Sequence, residues 1–133
     1  MPRKYSLQRI GNLLTLRATV SGIQGTRALR LLLDTGSTYT ILPNEVLSSI
    51  GLDPFASKER VRIVTGSGYL VVPRVQVQRF DCLGYKLKGF KVVGHTIPPD
   101  SFVDGLLGMD FLVQAKAVID TGKGEIEVSS EKQ

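Results

Sequence analysis

Cysteine and histidine are nearly absent from this chain, where Cys82 and His95 are the only residues of their kinds. One cysteine cannot form an internal disulfide, and neither residue is numerous enough for the thiolate or multi-histidine sites of zinc proteins. A single histidine also leaves one Ser-His or Cys-His pairing to consider, and no nucleophile motif surrounds His95, which precedes Pro98 and Pro99. His95 therefore reads as a loop histidine and Cys82 as a small buried apolar residue. No run approaches the roughly 18 consecutive apolar residues of a membrane span. The basic start, Met1-Pro2-Arg3-Lys4-Tyr5, has no apolar segment behind it of the kind that marks a signal peptide, so a cytoplasmic location is the expectation.

Aromatic residues are sparse as well, at 7%, and this bears on the charge. The net charge of +5 comes from 17 Lys and Arg against 12 Asp and Glu, a balance that often signals nucleic acid. Here the cations scatter from Arg3 to Lys132, and strand-like alternation puts Arg60 with Arg62, and Lys86 with Lys88, on outer faces. No basic run is interleaved with aromatics. The pattern predicts a solvated basic surface, no nucleic-acid partner, and at most a mild preference for acidic ones. Hydrophobic and charged contents of 42% and 22% are those of a globular protein, and 133 residues suit one domain, 1–133, with a core that needs no staples.

What is present is a series of short apolar runs punctuated by glycine, which predicts an all-β architecture. Residues 13–20 alternate as a strand, 21–25 make a turn, and 27–33 form a second strand ending in Leu31-Leu32-Leu33. That continuous apolar end predicts burial on both sides. Strand character returns at 39–42, and a short helix over 45–50 is closed by Gly51. Strands at 60–64 and 69–72 flank Thr65-Gly66-Ser67-Gly68 as a hairpin. Further strands are predicted at 75–80 and 85–93, then a loop over 94–104, two helical turns within 109–116, and a last hairpin from 118–120 and 125–128.

The sharpest chemical signal is Leu31-Leu32-Leu33-Asp34-Thr35-Gly36-Ser37. Three apolar residues drive a strand into the core and an acid emerges at its end, where glycine lets the backbone turn tightly. A carboxylate so placed needs hydrogen bonds. The Gly36 amide, Ser37 and the Thr35 hydroxyl are the expected donors. Farther on stands Asp104-Gly105-Leu106-Leu107-Gly108-Met109-Asp110-Phe111-Leu112.

Asp34-Thr35-Gly36-Ser37 resembles the signature of aspartic proteases, and Leu106-Leu107-Gly108 before a short helix resembles the second landmark of the retropepsin-like members. The hairpin at Thr65, Gly66, Ser67 and Gly68 falls where that family keeps its flap. The three features, in this order, span roughly residues 10–128. The resemblance implies a single-lobe closed β-barrel or sandwich with a flap and one or two short helices. It also implies Asp34 as the catalytic acid, supported by Thr35, Gly36, Ser37, Leu106, Leu107 and Gly108. The four hairpin residues would cover an extended peptide substrate. Neither a cofactor nor a metal is implied.

Such chemistry uses two acids, and the chain repeats Asp-Thr-Gly at Asp120-Thr121-Gly122. That copy is followed by Lys123, lacks a flap or Leu-Leu-Gly partner after it, and suits a turn in the terminal hairpin. The second acid is therefore expected from a second copy of the chain, since a two-fold axis brings the same loop of each subunit together. Two carboxylates ~3 Å apart at an effective dielectric of ~20 repel by about 5 kcal/mol, so such a pair shares one proton. In the family a basic residue often follows Leu-Leu-Gly and pairs with an acid. Met109-Asp110 stands there instead, as in cellular, bacterial or retrotransposon relatives. Two other readings compete with the protease. One is a catalytically silent peptide-binding or dimerisation module on the same fold. The other is the phosphate loop of the actin and sugar-kinase superfamily, which Asp34-Thr35-Gly36-Ser37-Thr38 also resembles but which needs two larger domains.

Overall fold

The computed structural model describes residues 2–98 and 101–129. Pro99 of the predicted 94–104 loop, and Lys132, lie outside them. The chain opens with two short strands, β1 (Arg3–Ser6) and β2 (Gln8–Ile10), followed by the long hairpin β3 (Leu13–Gly22) and β4 (Gly25–Leu33). After the Asp34 loop come β5 (Ile41–Leu42) and helix α1 (Asn44–Ser49), then a 3-10 turn at Pro54–Ala56. The hairpin β6 (Arg60–Thr65) and β7 (Gly68–Gln76) leads into β8 (Arg79–Cys82), β9 (Tyr85–Lys88) and β10 (Lys91–Gly94). The chain ends with β11 (Gly105–Leu107), helix α2 (Met109–Gln114), β12 (Val118–Asp120) and β13 (Glu125–Val128).

Ten strands form one sheet, curled into a half-barrel, in the order β6-β7-β10-β5-β11-β4-β3-β8-β9, with β2 paired to β3. The termini close a smaller sheet, β1-β13-β12. The all-β expectation holds, and so do the helices at α1 and α2. Among the described residues no helix is long and apolar enough to cross a membrane.

Alternation in β3 explains the layering. Leu14, Leu16, Ala18 and Val20 are buried, whereas Arg17 is exposed. The buried side joins Leu29, Leu31, Phe80 and Val92 in the main core. Helix α2 seals it with Phe111, whose ring meets Phe80 at 6.0 Å and Tyr85 at 5.5 Å edge to face. Burying a side chain of this kind contributes about 1.5–3 kcal/mol, so six residues suffice to anchor a helix too short to be stable alone.

Three local expectations need correction. The 75–80 strand is broken at 77–78, where the amides of Val77 and Gln78 donate to the carbonyls of Phe90 and Ser21 rather than to one neighbour. The 85–93 strand is likewise broken at Gly89, whose φ of +68° ends β9. Each break moves the chain from one part of the curled sheet to another. The run Leu31-Leu32-Leu33 is not buried throughout, because only Leu31 is fully enclosed and its two successors are half-buried. Leu33 packs against the main core, and Leu32, one step back along the strand, points to the opposite side.

Candidate active site

The loop carrying Asp34 joins two strands that are not neighbours. Strand β11 lies between β4 and β5, parallel to the first and antiparallel to the second. The loop must therefore arch over the end of β11, and hydrogen bonds pin it there. The Asp34 amide donates to the Leu107 carbonyl at 3.0 Å, which extends the β4–β11 ladder by one step. The Met109 and Asp110 amides donate to the carbonyls of Ser37 and Thr38 at 2.8 and 3.1 Å.

Gly108 permits this closeness. A Cβ at that position would run into the backbone carbonyl of Tyr39, so no larger residue fits without moving the loop. Leu107 is fully buried in the main core, while Leu106 is half-buried beside Ile41. The Leu-Leu-Gly motif thus has three separate tasks: one anchor, one wall and one point of close approach.

Two residues that sequence reasoning did not assign complete the lock. The Asp110 carboxylate accepts from the Thr40 amide at 2.9 Å and from the Thr40 hydroxyl at 2.7 Å. The Thr40 oxygen in turn accepts from the Gly108 amide at 3.2 Å, and Thr40 is wholly buried. In the first turn of α2 this chain carries an acid that binds a buried threonine. Asp110 standing two residues after Gly108, in the first turn of α2, was the visible signal. Its partner lies 70 positions away and could not be read from spacing.

Asp34 itself is half-buried, with Oδ1 accepting from the Gly36 amide at 2.9 Å. The other expected donors do not reach it. Ser37 turns its hydroxyl to the Tyr39 carbonyl at 2.6 Å, and its amide meets the Asp34 carbonyl rather than the carboxylate. Thr35 is exposed, and its hydroxyl has no hydrogen bond among the described residues. The carboxylate is thus presented by the loop instead of being consumed within it.

The β6–β7 hairpin has its tip at Gly66 and Ser67, with Thr65 donating its hydroxyl to the Gly68 carbonyl at 3.3 Å. Its base packs into a small second core in which Val61, Ile63 and Val72 meet Ile41, Tyr39 and Leu106. The hairpin is thereby seated on the same residues that flank the Asp34 loop. Toward the tip it bares apolar side chains, with Val64 87% and Tyr69 60% exposed. Polar contacts brace its root. Glu59 pairs with Arg74 at 3.2 Å and Lys91 at 2.9 Å, and the Arg74 guanidinium lies over the Tyr39 ring at 5.3 Å. The Glu59 carboxyl is held below its ordinary value, chiefly by the hydrogen bond from Lys91 and further by that from Arg74, against partial desolvation.

The remaining candidates stand apart. Asp120 accepts the Lys123 amide on its carboxylate at 2.9 Å and closes the terminal β-turn. His95 extends a ladder through its amide to the Leu42 carbonyl. Cys82 is buried, and burial pushes its thiol well above its ordinary value, which makes it unreactive.

Residues 16–111 match the family described as aspartyl protease. The fold is that of a retropepsin-like aspartic protease from Rickettsia conorii, whose crystal structure superimposes with a TM-score of 0.68. The match covers 98% of this chain and 92% of that one at 21% identity. No curated protein matches the sequence.

Proposed function

The chain belongs to the aspartyl protease family, and from that premise we propose that it is an endopeptidase that works as a homodimer, with Asp34 of each subunit forming one site. The observation that carries this reading is the state of the Asp34 loop. One carboxylate oxygen is oriented by Gly36 while Thr35 stands exposed with no hydrogen-bond partner among the described residues. A loop built this rigidly, yet left with an unmatched carboxylate and hydroxyl, fits pairing with its own copy across a two-fold axis. Thr35 then donates to the opposite loop and braces the pair. The other Asp-Thr-Gly, tied up in a turn at Asp120, offers no second acid from within the chain.

Two carboxyls brought together in this way hold one proton between them, because both cannot be charged at such range. The ionised member takes a proton from water, whose oxygen attacks the scissile carbonyl carbon. The protonated member gives its proton to the carbonyl oxygen. The resulting tetrahedral diol collapses as the C–N bond breaks and the amine nitrogen is protonated. No covalent enzyme intermediate forms.

The peptide lies extended between hairpin and floor, adding main-chain hydrogen bonds as a strand would. Thr65, Gly66, Ser67 and Gly68 cover it, and Leu32 and Leu106 supply apolar wall. Cleavage between apolar residues follows from that lining. Digestion of a diverse peptide library across pH 3–7 tests the proposal, with Asp34→Asn as control. Cleavage by the wild type and none by the variant is the expected outcome. No cleavage at any pH by protein shown to be dimeric favours a silent binding module instead.

A further inference from the structure

By the two-residue alternation of a strand, Ala28, Arg30 and Leu32 share one side of β4, and Asp34 follows one step past its end. Arg30 stands directly opposite Arg17 of β3 in the antiparallel register. Like charges so placed repel, and a sheet has no structural need for them. Neither guanidinium forms an ion pair or hydrogen bond among the described residues, and the Arg30 Nε is buried with no partner. Asp104 is the acid beside Arg30. One of its oxygens accepts the Arg30 backbone amide at 2.9 Å, and it makes no ion pair with the side chain. Beyond the pair the same face opens into a groove of about 310 Å³ lined by Arg17, Thr19, Ala28, Asp81, Leu83 and Lys86. Asp81 is already paired there with Arg79 at 2.8 Å. The face therefore offers unmatched positive charge, a buried donor and open space.

We propose that Arg17 and Arg30 form a subsite for an acidic side chain of the peptide substrate, held by the two guanidinium groups at the outer flank of the cleft. This rests on the protease reading for its place along the substrate. Four residue steps separate Arg30 from Asp34, about 13 Å at ~3.3 Å per residue, so the acid sits about three to four residues from the bond that is cut. A carboxylate there relieves the repulsion between the arginines. The planar guanidinium fork suits a carboxylate better than an ammonium would. Substrates would then combine apolar residues at the cut with an acid to one side.

The test uses two pools of random-sequence peptides, identical except that Glu and Asp in one are Gln and Asn in the other. Both pools are equilibrated with the Asp34→Asn protein, where retention needs no turnover, and digested in parallel by the wild type. The acidic pool should be retained about tenfold better, the range of a charge-assisted hydrogen bond, with the acid enriched at one fixed position. Arg30→Gln should abolish that advantage while leaving retention of the neutral pool unchanged, and Arg17→Gln repeats the test at an exposed position. Equal retention of the two pools, including none of either, overturns the proposal. So does an acidic advantage that survives both substitutions. An acidic advantage without any cleavage by the wild type keeps the subsite and removes the protease reading.

Discussion

The carboxylate of Asp110 holds both the amide and the hydroxyl of Thr40, at 2.9 and 2.7 Å, and so fastens the start of α2 to the end of the Asp34 loop. With the Gly108 amide donating to the same hydroxyl, two groups from the start of α2 converge on the buried Thr40 oxygen. This tie lies outside the Asp-Thr-Gly motif and adds to those of the Asp34 and Met109 amides.

Thr40→Val keeps the shape and removes the hydroxyl, leaving the Gly108 amide without an acceptor and Asp110 with one donor fewer. A buried group left unsatisfied costs about 1–3 kcal/mol. Denaturant unfolding should show a loss of that size with an unchanged slope, and peptide cleavage should fall further than stability does. A variant as stable as the wild type would mean that the lock is ornamental.

Gly108→Ala adds one methyl group where the Tyr39 carbonyl already touches the glycine. Overpacking of this kind costs about 1–3 kcal/mol, and the loop can relieve it only by shifting. The expected result is a lowered melting temperature together with loss of cleavage.

The hairpin root carries a pH dependence of defined sign. The Glu59 carboxyl is held below its ordinary value of 4.5 by Lys91 and Arg74, so its contribution is present above about that pH. It is lost as pH falls through the folded-state value. Glu59→Gln should melt below the wild type near neutral pH, and the gap should close below about pH 4.5. A gap that widens on acidification would reverse the assigned sign.

Much of the fold was legible because its signals are local. Alternation fixed β3, glycines fixed the tips of the β6–β7 and β12–β13 hairpins, and Gly51, with φ +95°, closes α1 as its position implied. What escaped depends on partners far along the chain. Strand β1 has no apolar period and is mostly exposed; it exists because β13 pairs with it. The breaks at 77–78 and at Gly89 are set by the curl of the sheet, which composition does not encode. At the site, Asp34 and Gly108 could be read from motif and glycine chemistry. The direction of the Ser37 hydroxyl and the bond between Thr40 and Asp110 could not, since each is decided by which acceptor folding brings nearest.

Co-refolding wild type with the Asp34→Asn variant tests most directly whether one site is built from two chains. If each site needs an aspartate from both subunits, a ninefold excess of variant leaves about one-tenth of the wild-type chains paired with an intact partner. Activity per wild-type chain should fall to that level. Activity per wild-type chain that stays constant at every mixing ratio would contradict the shared site.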